Sequence, residues 1–405
     1  MNVIEPQRYH TATQKHPRKQ RFLSGLFILL IVIGGINYCR PLPGVTAKLS
    51  VSQTVAATNP ALAWPEQGQA SAAAAGYGLL GTSGTMTPLA TASIAKVITA
   101  LCVLSKQPLA PGQSGPTYTV GSADVALYQA YQAENGSLIP VTAGERLTEY
   151  QALEALMIPS ANNIADSLVR WVFGSQAAYK TYATQFLQNH GISATQIGPD
   201  ASGFDPGTTS TASDLAALGQ LALKSPVLLE IAGKRSATLP VIGTVSNYDT
   251  VLGVHGITGL KTGNNDSDPG AFLFTANLTI GATTIPVTGA VMGAPDLGTA
   301  LQNSTQLVAS LSSGFSEITV ASTNQTIGQL TSAWGASTTI IAKQSIDFVR
   351  WNANPVIVKH NLNPTVRSGK IGSLTASAGH IKTGTDLLLA KPLAGPSFWW
   401  RLTRH

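Results

Sequence analysis

The segment from Ala92 to Ser105 constrains the fold most, because its side chains are almost all apolar. Before the final Ser105, the polar exceptions are Ser93, Lys96 and Thr99, so we expect a helix that is buried over most of its surface. Positions i and i+3 share one helix face, which brings the Lys96 amine within reach of the Ser93 hydroxyl. Burial and the positive end of the helix both favour the neutral amine, which can accept the serine proton. The pair predicts an acylating serine enzyme, although a serine at a helix start is also a common cap.

The basic charge of the chain is concentrated at its beginning. The 405 residues carry a formal net charge of +6, made up of 25 basic and 19 acidic side chains. Seven basic side chains and one acidic side chain lie in residues 1–50, so this segment accounts for the whole excess. The remaining 18 basic and 18 acidic side chains cancel. A nucleic-acid-binding surface is therefore not supported.

The basic segment precedes a strongly apolar run, Phe22–Tyr38. We expect residues 22–39 to form a single transmembrane anchor, with residues 1–21 as a basic cytoplasmic tail, because positive charge favours the cytoplasmic side. A cleaved signal is the alternative, but no small-x-small cleavage site follows closely. The predicted location is the cell membrane, with the rest of the chain outside the cytoplasm.

Three regions lie between the anchor and a C-terminal tail. Residues 40–60 look like a spacer. Residues 61–312 mix helical patterns with apolar strand-like runs, of which Gly270–Thr279 and Thr284–Met292 predict a hairpin. Residues 313–395 contain short strand-like segments with turns between them, which indicates a separate all-β domain.

Residues 396–405 form an aromatic and basic tail that includes Trp399, Trp400 and Arg401. Adjacent tryptophans beside arginines are typical of a membrane interface. A terminal strand that packs its aromatic side chains on the β domain is the other interpretation.

Two further motifs follow Ser93 and Lys96 along the chain. Ser160-Ala161-Asn162 comes after an apolar helical segment that Pro159 ends. Lys261-Thr262-Gly263 lies between a glycine-rich turn and the predicted hairpin. A second copy, Lys382-Thr383-Gly384, lies in the β domain and is expected to be a surface turn, so we prefer Lys261.

Ser-x-x-Lys, Ser-x-Asn and Lys-Thr-Gly in this order resemble the three motifs of serine penicillin-binding proteins and β-lactamases. The flanking residues 91–100, 210–216 and 259–263 resemble more narrowly the D-alanyl-D-alanine carboxypeptidases, the low-molecular-mass penicillin-binding proteins of peptidase family S11. The resemblance covers about residues 60–405. It implies an α/β (α+β) fold, in which helices flank the antiparallel sheet of a β-lactamase/transpeptidase-like domain and a C-terminal all-β domain follows.

The resemblance also assigns the first group of site residues. Ser93 would attack the carbonyl between the two terminal D-alanines of a peptidoglycan stem peptide, with Lys96 as the general base. Ser160 would pass a proton to the leaving amine. Asn162 would offer its amide to Lys96 and to the substrate backbone.

A second group would bind the substrate. Lys261 would supply positive charge to the terminal carboxylate, and the Thr262 hydroxyl would hydrogen-bond to it. Gly263 would let the strand approach the substrate closely. The backbone N–H groups of Ser93 and Asn264 would form the oxyanion hole. Many family members have histidine where this chain has Asn264, a change that keeps the backbone donor and alters the side chain.

The implied partners are stem peptides ending in D-Ala-D-Ala, with β-lactams as inhibitors and no cofactor. The seven histidines show no spacing typical of a metal site. Alternatives on the same fold are a β-lactamase, a DD-endopeptidase and a transpeptidase, and a catalytically silent wall-binding protein is a further one. The β-lactamase reading lacks the Glu-x-x-Leu-Asn pattern of class A enzymes, since Glu230 is the one glutamate between Ser160 and Lys261.

Overall fold

The chain folds into helices and mainly antiparallel strands, which a computed structural model describes for residues 17–52, 54–265 and 268–404. The helices are α1 (Pro17–Cys39), α2 (Ala95–Lys106), α3 (Ser122–Ala133), α4 (Glu149–Met157), α5 (Asn162–Phe173), α6 (Gln176–Asn189), α7 (Ala212–Ala222), α8 (Pro226–Ala232), α9 (Leu297–Leu311) and α10 (Phe398–Thr403). The first ten strands are β1 (Val45–Leu49), β2 (Thr54–Val55), β3 (Gln69–Ala74), β4 (Gly78–Ser83), β5 (Leu89–Ala90), β6 (Thr117–Thr119), β7 (Arg146–Thr148), β8 (Thr209–Ser210), β9 (Ser236–Leu239) and β10 (Gly243–Ser246). The others are β11 (Ile257–Asn265), β12 (Asp268–Ile280), β13 (Thr283–Ala294), β14 (Phe315–Ala321), β15 (Thr326–Ser332), β16 (Ser337–Ala342), β17 (Ile346–Trp351), β18 (Val356–Leu362), β19 (Lys370–Ala378) and β20 (Ile381–Leu389).

Helix α1 is long and apolar enough to cross a membrane. Its segment Arg21–Cys39 has a mean hydropathy of 2.1, and none of that segment is buried in the protein. A signal sequence near the N-terminus has the same properties. Most of the predicted cytoplasmic tail, residues 1–16, lies outside the described residues.

A five-stranded antiparallel sheet in the order β11-β12-β13-β3-β4 lies at the centre of the larger domain. The predicted hairpin is confirmed as β12 and β13, which pair from Gly270 and Ala294 to Ile280 and Thr283. Side chains alternate between the two faces of a strand. Accordingly, Leu273 packs with the helical core that includes α2, α5 and α7, whereas Phe272 and Phe274 pack with α9. The predicted α/β class with helices flanking an antiparallel sheet is therefore confirmed.

The smaller domain is built on a seven-stranded sheet in the order β1-β15-β16-β20-β19-β18-β2. The predicted spacer is wrong over residues 45–55, because β1 and β2 form the two edges of this sheet. Val45 is buried and alternates with exposed Thr46 and Lys48, which is the period-two pattern of a strand with one buried face. The prolines and the glycine directly before Val45 are typical of a spacer, so this short pattern was not predicted as a strand.

The second Lys-Thr-Gly motif also differs from expectation. Lys382, Thr383 and Gly384 belong to strand β20 and pair with Ser377, Ala376 and Thr375 of β19. They form part of a sheet ladder rather than a surface turn. This second motif lies in the seven-stranded sheet, whereas Lys261 lies on β11 of the five-stranded sheet.

The two domains share an apolar contact. The Phe315 ring of β14 lies between Tyr77 and Trp351, with centroid distances of 5.1 Å and 4.8 Å. The Tyr77 hydroxyl donates a hydrogen bond to the Val349 carbonyl at 2.9 Å. Phe315, Val349 and Trp351 thereby join the same core as Phe272 of the larger sheet.

The tail forms the short helix α10, so the interpretation as a terminal strand is wrong. The helix packs on the end of α1, where Asn37 Nδ2 donates to the Leu402 carbonyl at 3.2 Å. Arg404 Nε donates to the Asn37 carbonyl at 2.9 Å, and the same guanidinium reaches the carbonyls of Arg40 and Pro41. Because the last carbonyls of a helix lack intrahelical donors, Arg404 closes the end of α1. We refer to these contacts as the α1–α10 clasp.

Candidate active site

Ser93 and Lys96 lie at the junction between a 3-10 turn and helix α2, and Ser93 lines a cleft. The turn covers Ala92–Ile94, and Ala92 has a positive φ of 45°. A non-glycine residue in this region stores about 1–3 kcal/mol of strain. The turn replaces the helix start that the sequence predicts, yet Lys96 Nζ still lies 2.7 Å from Ser93 Oγ.

The fully buried Lys96 amine has two other partners. Asn162 Oδ1 lies 2.7 Å from Nζ, and the Ser202 carbonyl oxygen lies 3.0 Å away. Both of these oxygens can only accept hydrogen bonds. A neutral amine has two N–H groups and one lone pair, so donation to both oxygens leaves the lone pair for the hydroxyl of Ser93.

Electrostatics favour that neutral amine. Burial is the main cause that lowers the pKa of Lys96 well below its usual value, and the positive charge of Lys261 lowers it further. The carboxylates of Asp200 and Asp166 oppose this effect. The arrangement can therefore take the proton of Ser93.

Ser160 and Asn162 come from the break between α4 and α5. Thr148 and Gln151 cap the start of α4 reciprocally, and Pro159 ends the helical segment as predicted. Ser160 then adopts a positive φ of 60°. Its buried hydroxyl has no hydrogen-bond partner within the described part of the chain, so it is available to a ligand or a water molecule.

Asn163 has a structural role. Its Oδ1 accepts from the Ile139 N–H at 3.2 Å, and its Nδ2 donates to the Ile139 carbonyl at 3.0 Å. The neighbouring Asn162 faces Lys96 instead. Of the two adjacent asparagines, Asn162 is therefore the one that contacts the Lys96 amine.

Strand β11 carries Lys261, Thr262 and Gly263 along the edge of the five-stranded sheet. A methyl group on Gly263 would lie 2.7 Å from the Thr91 carbonyl and 3.1 Å from Ile94 Cγ1. The glycine therefore allows this edge to lie against the turn that holds Ser93. Asn264 is exposed on the same strand and lines the cleft.

The Lys261 side chain is buried and donates to the Thr262 carbonyl at 3.2 Å. Burial lowers the pKa of Lys261 to about 7, although the Asp249 carboxylate opposes this effect. Because this pKa lies near neutral pH, a change in the charges around Lys261 would change the fraction of its amine that is protonated.

The cleft has a volume of about 460 Å³. Its walls bring together five of the predicted site residues, which are Ser93, Ser160, Asn162, Thr262 and Asn264. The other lining residues were not predicted: Glu134, Asn135, Gly136, Ser137, Phe204, Tyr248 and Leu297. In the part of the chain that the structure describes, no three His, Cys, Asp or Glu side chains come close enough together to hold a metal ion.

The loop at residues 200–205 was also missed, although it supplies the Ser202 carbonyl to Lys96. The Asp200 carboxylate accepts hydrogen bonds from the backbone N–H groups of Ser202, Gly203 and Asp205 at 2.7–2.8 Å. A side chain on Gly203, which has a φ of 72°, would strike the Ala92 carbonyl. The Asp-Ala-Ser-Gly sequence is typical of a tight turn. The sequence does not, however, indicate that this loop contacts the turn that holds Ser93.

The fold and the arrangement of this cleft define a class of protein, the serine hydrolases with a transpeptidase-like domain. The sequence profile of the D-alanyl-D-alanine carboxypeptidase family, Peptidase_S11, matches residues 79–296, which is more than half of the chain. The chain belongs to this family of serine peptidases.

Solved structures share its fold. The peptidoglycan synthesis regulatory factor (PBP3) from Streptococcus pneumoniae is 20% identical, with a TM-score of 0.60 over 82% of this chain and 99% of that one. Penicillin binding protein 5 from Haemophilus influenzae is 15% identical, with a TM-score of 0.57 over 84% and 100%. The Streptomyces K15 DD-transpeptidase is 23% identical, with a TM-score of 0.54 over 62% and 98%. A comparison with curated proteins gave no match.

Proposed function

We propose that this protein is a membrane-anchored D-Ala-D-Ala carboxypeptidase that removes the terminal D-alanine from peptidoglycan stem peptides through an acyl-enzyme on Ser93. The observation that carries the proposal is the buried Lys96 amine, 2.7 Å from Ser93 Oγ and held by two acceptor-only oxygens. That geometry leaves one acceptor for the serine proton. Family membership supports the substrate class.

In the first step, Ser93 Oγ forms a bond to the carbonyl carbon of the penultimate D-alanine, and its proton moves to Lys96 Nζ. The backbone N–H groups of Ser93 and Asn264 stabilise the negative oxygen that develops. The C–N bond then breaks. The Ser160 hydroxyl, which has no partner in the described residues, relays the proton from Lys96 to the leaving amine.

In the second step, water attacks the Ser93 ester. Lys96, neutral again, accepts a proton from that water, and Ser93 Oγ recovers a proton as the shortened peptide leaves with a new carboxylate. Lys261 and Thr262 bind the terminal carboxylate of the incoming peptide. A β-lactam carries a comparable carboxylate and an acylating carbonyl, so it would acylate Ser93 by the same route.

The domain organisation fits this role. We propose that α1 anchors the protein in the cell membrane, that the α/β domain performs the chemistry outside the cytoplasm, and that the β domain positions it. Helix α10 would lie at the membrane interface, since Phe398 and Trp399 are 58% and 72% exposed beside the end of the apolar helix.

The test is the intact mass of the detergent-solubilised protein after brief exposure to benzylpenicillin. We expect a lasting adduct of one drug molecule, and its loss in Ser93→Ala. Ser105→Ala, at the other end of α2, is the matched control and should keep the adduct. The wild type should also release D-alanine from an N-acylated Lys-D-Ala-D-Ala tripeptide.

Other outcomes would contradict the proposal. Rapid consumption of the drug without a lasting adduct would indicate a β-lactamase. Transfer of the acyl group to an added amine in preference to water would indicate a transpeptidase. Neither adduct nor consumption by folded protein would favour a wall-binding protein without catalysis.

A further inference from the structure

Glu134 is the one charged side chain among the described residues that line the cleft. It is exposed, and none of the described basic side chains pairs with its carboxylate. The proposed reaction makes no use of this side chain. Its negative charge is therefore free to act on a group that enters the cleft.

The backbone at Glu134 is fixed by the end of helix α3. The next residue, Asn135, has a left-handed φ of 56°. Its N–H donates to the Gln132 carbonyl at 3.3 Å, and the Gly136 N–H donates to the Tyr131 carbonyl at 2.8 Å. These two hydrogen bonds form the Schellman motif that ends many helices. The cleft thus receives Glu134 from an ordered helix end.

Local helix stability does not explain a glutamate at this position. The last carbonyls of a helix carry a partial negative charge, which favours basic side chains and disfavours acidic ones. The carboxylate of Glu134 and the end of α3 therefore carry charge of the same sign. Both would attract a positively charged group of a ligand.

The segment that follows Glu134 contacts the catalytic residues directly. The Ser137 carbonyl accepts a hydrogen bond from the Asn162 N–H at 2.8 Å. A methyl group on Gly136 would lie 2.9 Å from Asn162 Nδ2, so this position must stay small. Glu134 is therefore only two residues away from a contact with the Asn162 side chain.

Lys261 and Glu134 suit different parts of one peptide. Lys261 is proposed to bind the terminal carboxylate, which the charge of Glu134 would repel. A positive group that precedes the two D-alanines would instead be attracted to Glu134. A lysine-like side chain fits this requirement, because its ammonium group lies at the end of a flexible four-carbon stem.

We propose that Glu134 is a specificity-determining residue that binds a positively charged side chain directly before the D-Ala-D-Ala pair of the substrate. The inference rests on the proposed function and deepens it, because it names the charge of the preceding residue. The pairing lies in a cleft that is open to solvent, so its effect is that of an exposed ion pair.

The test compares two peptides with the detergent-solubilised protein. Nα-acetyl-Lys-D-Ala-D-Ala keeps the side-chain ammonium, and Nα,Nε-diacetyl-Lys-D-Ala-D-Ala lacks it. The measured quantity is the ratio of their kcat/KM values for release of D-alanine, because unfolded protein lowers both values equally. We expect the wild type to prefer the charged peptide about threefold at 0.1 M ionic strength. At 1 M salt the Debye length falls from about 10 Å to about 3 Å, and the ratio should approach one.

Three variants make the result specific. Glu134→Gln keeps the shape of the side chain without its charge, and its ratio should be close to one at 0.1 M ionic strength. Glu134→Lys should reverse the preference, so that the Nε-succinyl peptide, which carries a carboxylate, becomes a better substrate than the diacetyl peptide. Glu66→Gln removes an exposed carboxylate that does not line the cleft, and it should keep the ratio of the wild type.

Several results would overturn the inference while the proposed function stands. These are a wild-type ratio of one or less, an unchanged ratio in Glu134→Gln, or an equal loss of ratio in Glu66→Gln. Failure of Glu134→Lys to favour the succinyl peptide would have the same meaning. Absence of D-alanine release from both peptides, together with absence of a benzylpenicillin adduct, would overturn both proposals.

Discussion

At the scale of single residues, the adjacent Asn162 and Asn163 allow a matched comparison. Asn162→Ala removes an acceptor from Lys96 Nζ, so the amine is less well oriented towards Ser93. We expect benzylpenicillin acylation to slow by about 10- to 100-fold with a small change in melting temperature.

Asn163→Ala should lower the melting temperature more than it slows acylation. It leaves the buried N–H and C=O of Ile139 without their side-chain partners, and each unsatisfied group costs about 1–3 kcal/mol. We expect a lower melting temperature and near-normal acylation of the protein that remains folded. Equal effects of the two variants on both measurements would contradict the assigned roles.

The sequence was informative about residues whose partners are close along the chain. The spacing of Ser93 and Lys96 places them on one side of a helical turn, and this contact is present at 2.7 Å. The Ser202 carbonyl, which also contacts Lys96, is separated from it by more than a hundred residues. Its approach depends on packing of Gly203 against Ala92, which no local pattern encodes.

At the scale of elements, the start of helix α4 carries a buried acid, Glu149. The side chain has no exposed surface, and neither carboxylate oxygen has a partner within the described residues. Burial raises the pKa of Glu149 to about 7. In the unfolded chain its pKa is close to the ordinary value of a glutamate, about 4.3.

The raised pKa predicts how stability changes with pH. Between about pH 4.3 and pH 7 the folded state holds the Glu149 proton more tightly than the unfolded state, so stability falls as pH rises through this window. We expect Glu149→Gln to raise the free energy of unfolding at pH 8 by up to about 3 kcal/mol, with no gain at pH 4. Urea denaturation at both pH values measures this.

Glu145→Gln is the control, because Glu145 lies just before β7 and is only half-buried, and a glutamine oxygen can still accept the Thr142 N–H that Glu145 Oε2 accepts at 3.1 Å. It should change stability little at either pH. A Glu149→Gln variant that is equally stabilised at pH 4 and pH 8 would show that the ionisation of Glu149 is not the cause.

Elements with local patterns were predicted better than elements formed by distant pairing. The hairpin of β12 and β13 is continuous in sequence and was predicted within a few residues. Strand β1 pairs Val45 with Ser332, so its partner lies more than 280 residues further along the chain. A five-residue strand beside prolines resembles a spacer until that pairing is known.

At the scale of the whole molecule, the α1–α10 clasp joins the two ends of the described chain. Arg404→Ala removes the guanidinium that binds the carbonyls of Asn37, Arg40 and Pro41. We expect about tenfold faster amide hydrogen exchange at residues 36–40 of the detergent-solubilised protein. Arg401→Ala, which loses a stacking contact on Tyr38, should have a smaller effect. Equal exchange in both variants would mean that Arg404 does not stabilise the end of α1.

The position of the strand Val45–Leu49 limits the distance between the end of α1 and the rest of the protein, including the cleft. Only residues 40–44 separate the end of α1 from this strand, a segment that spans less than about 20 Å even when extended. An enzyme on a long flexible linker could reach peptidoglycan over a wide range of distances from the membrane. If α1 anchors the protein as proposed, the β domain would begin close to the bilayer, and the height of the cleft above the membrane would be set by the fold and not by a flexible linker. Under the proposed function, stem peptides would then be trimmed in a thin layer close to the membrane.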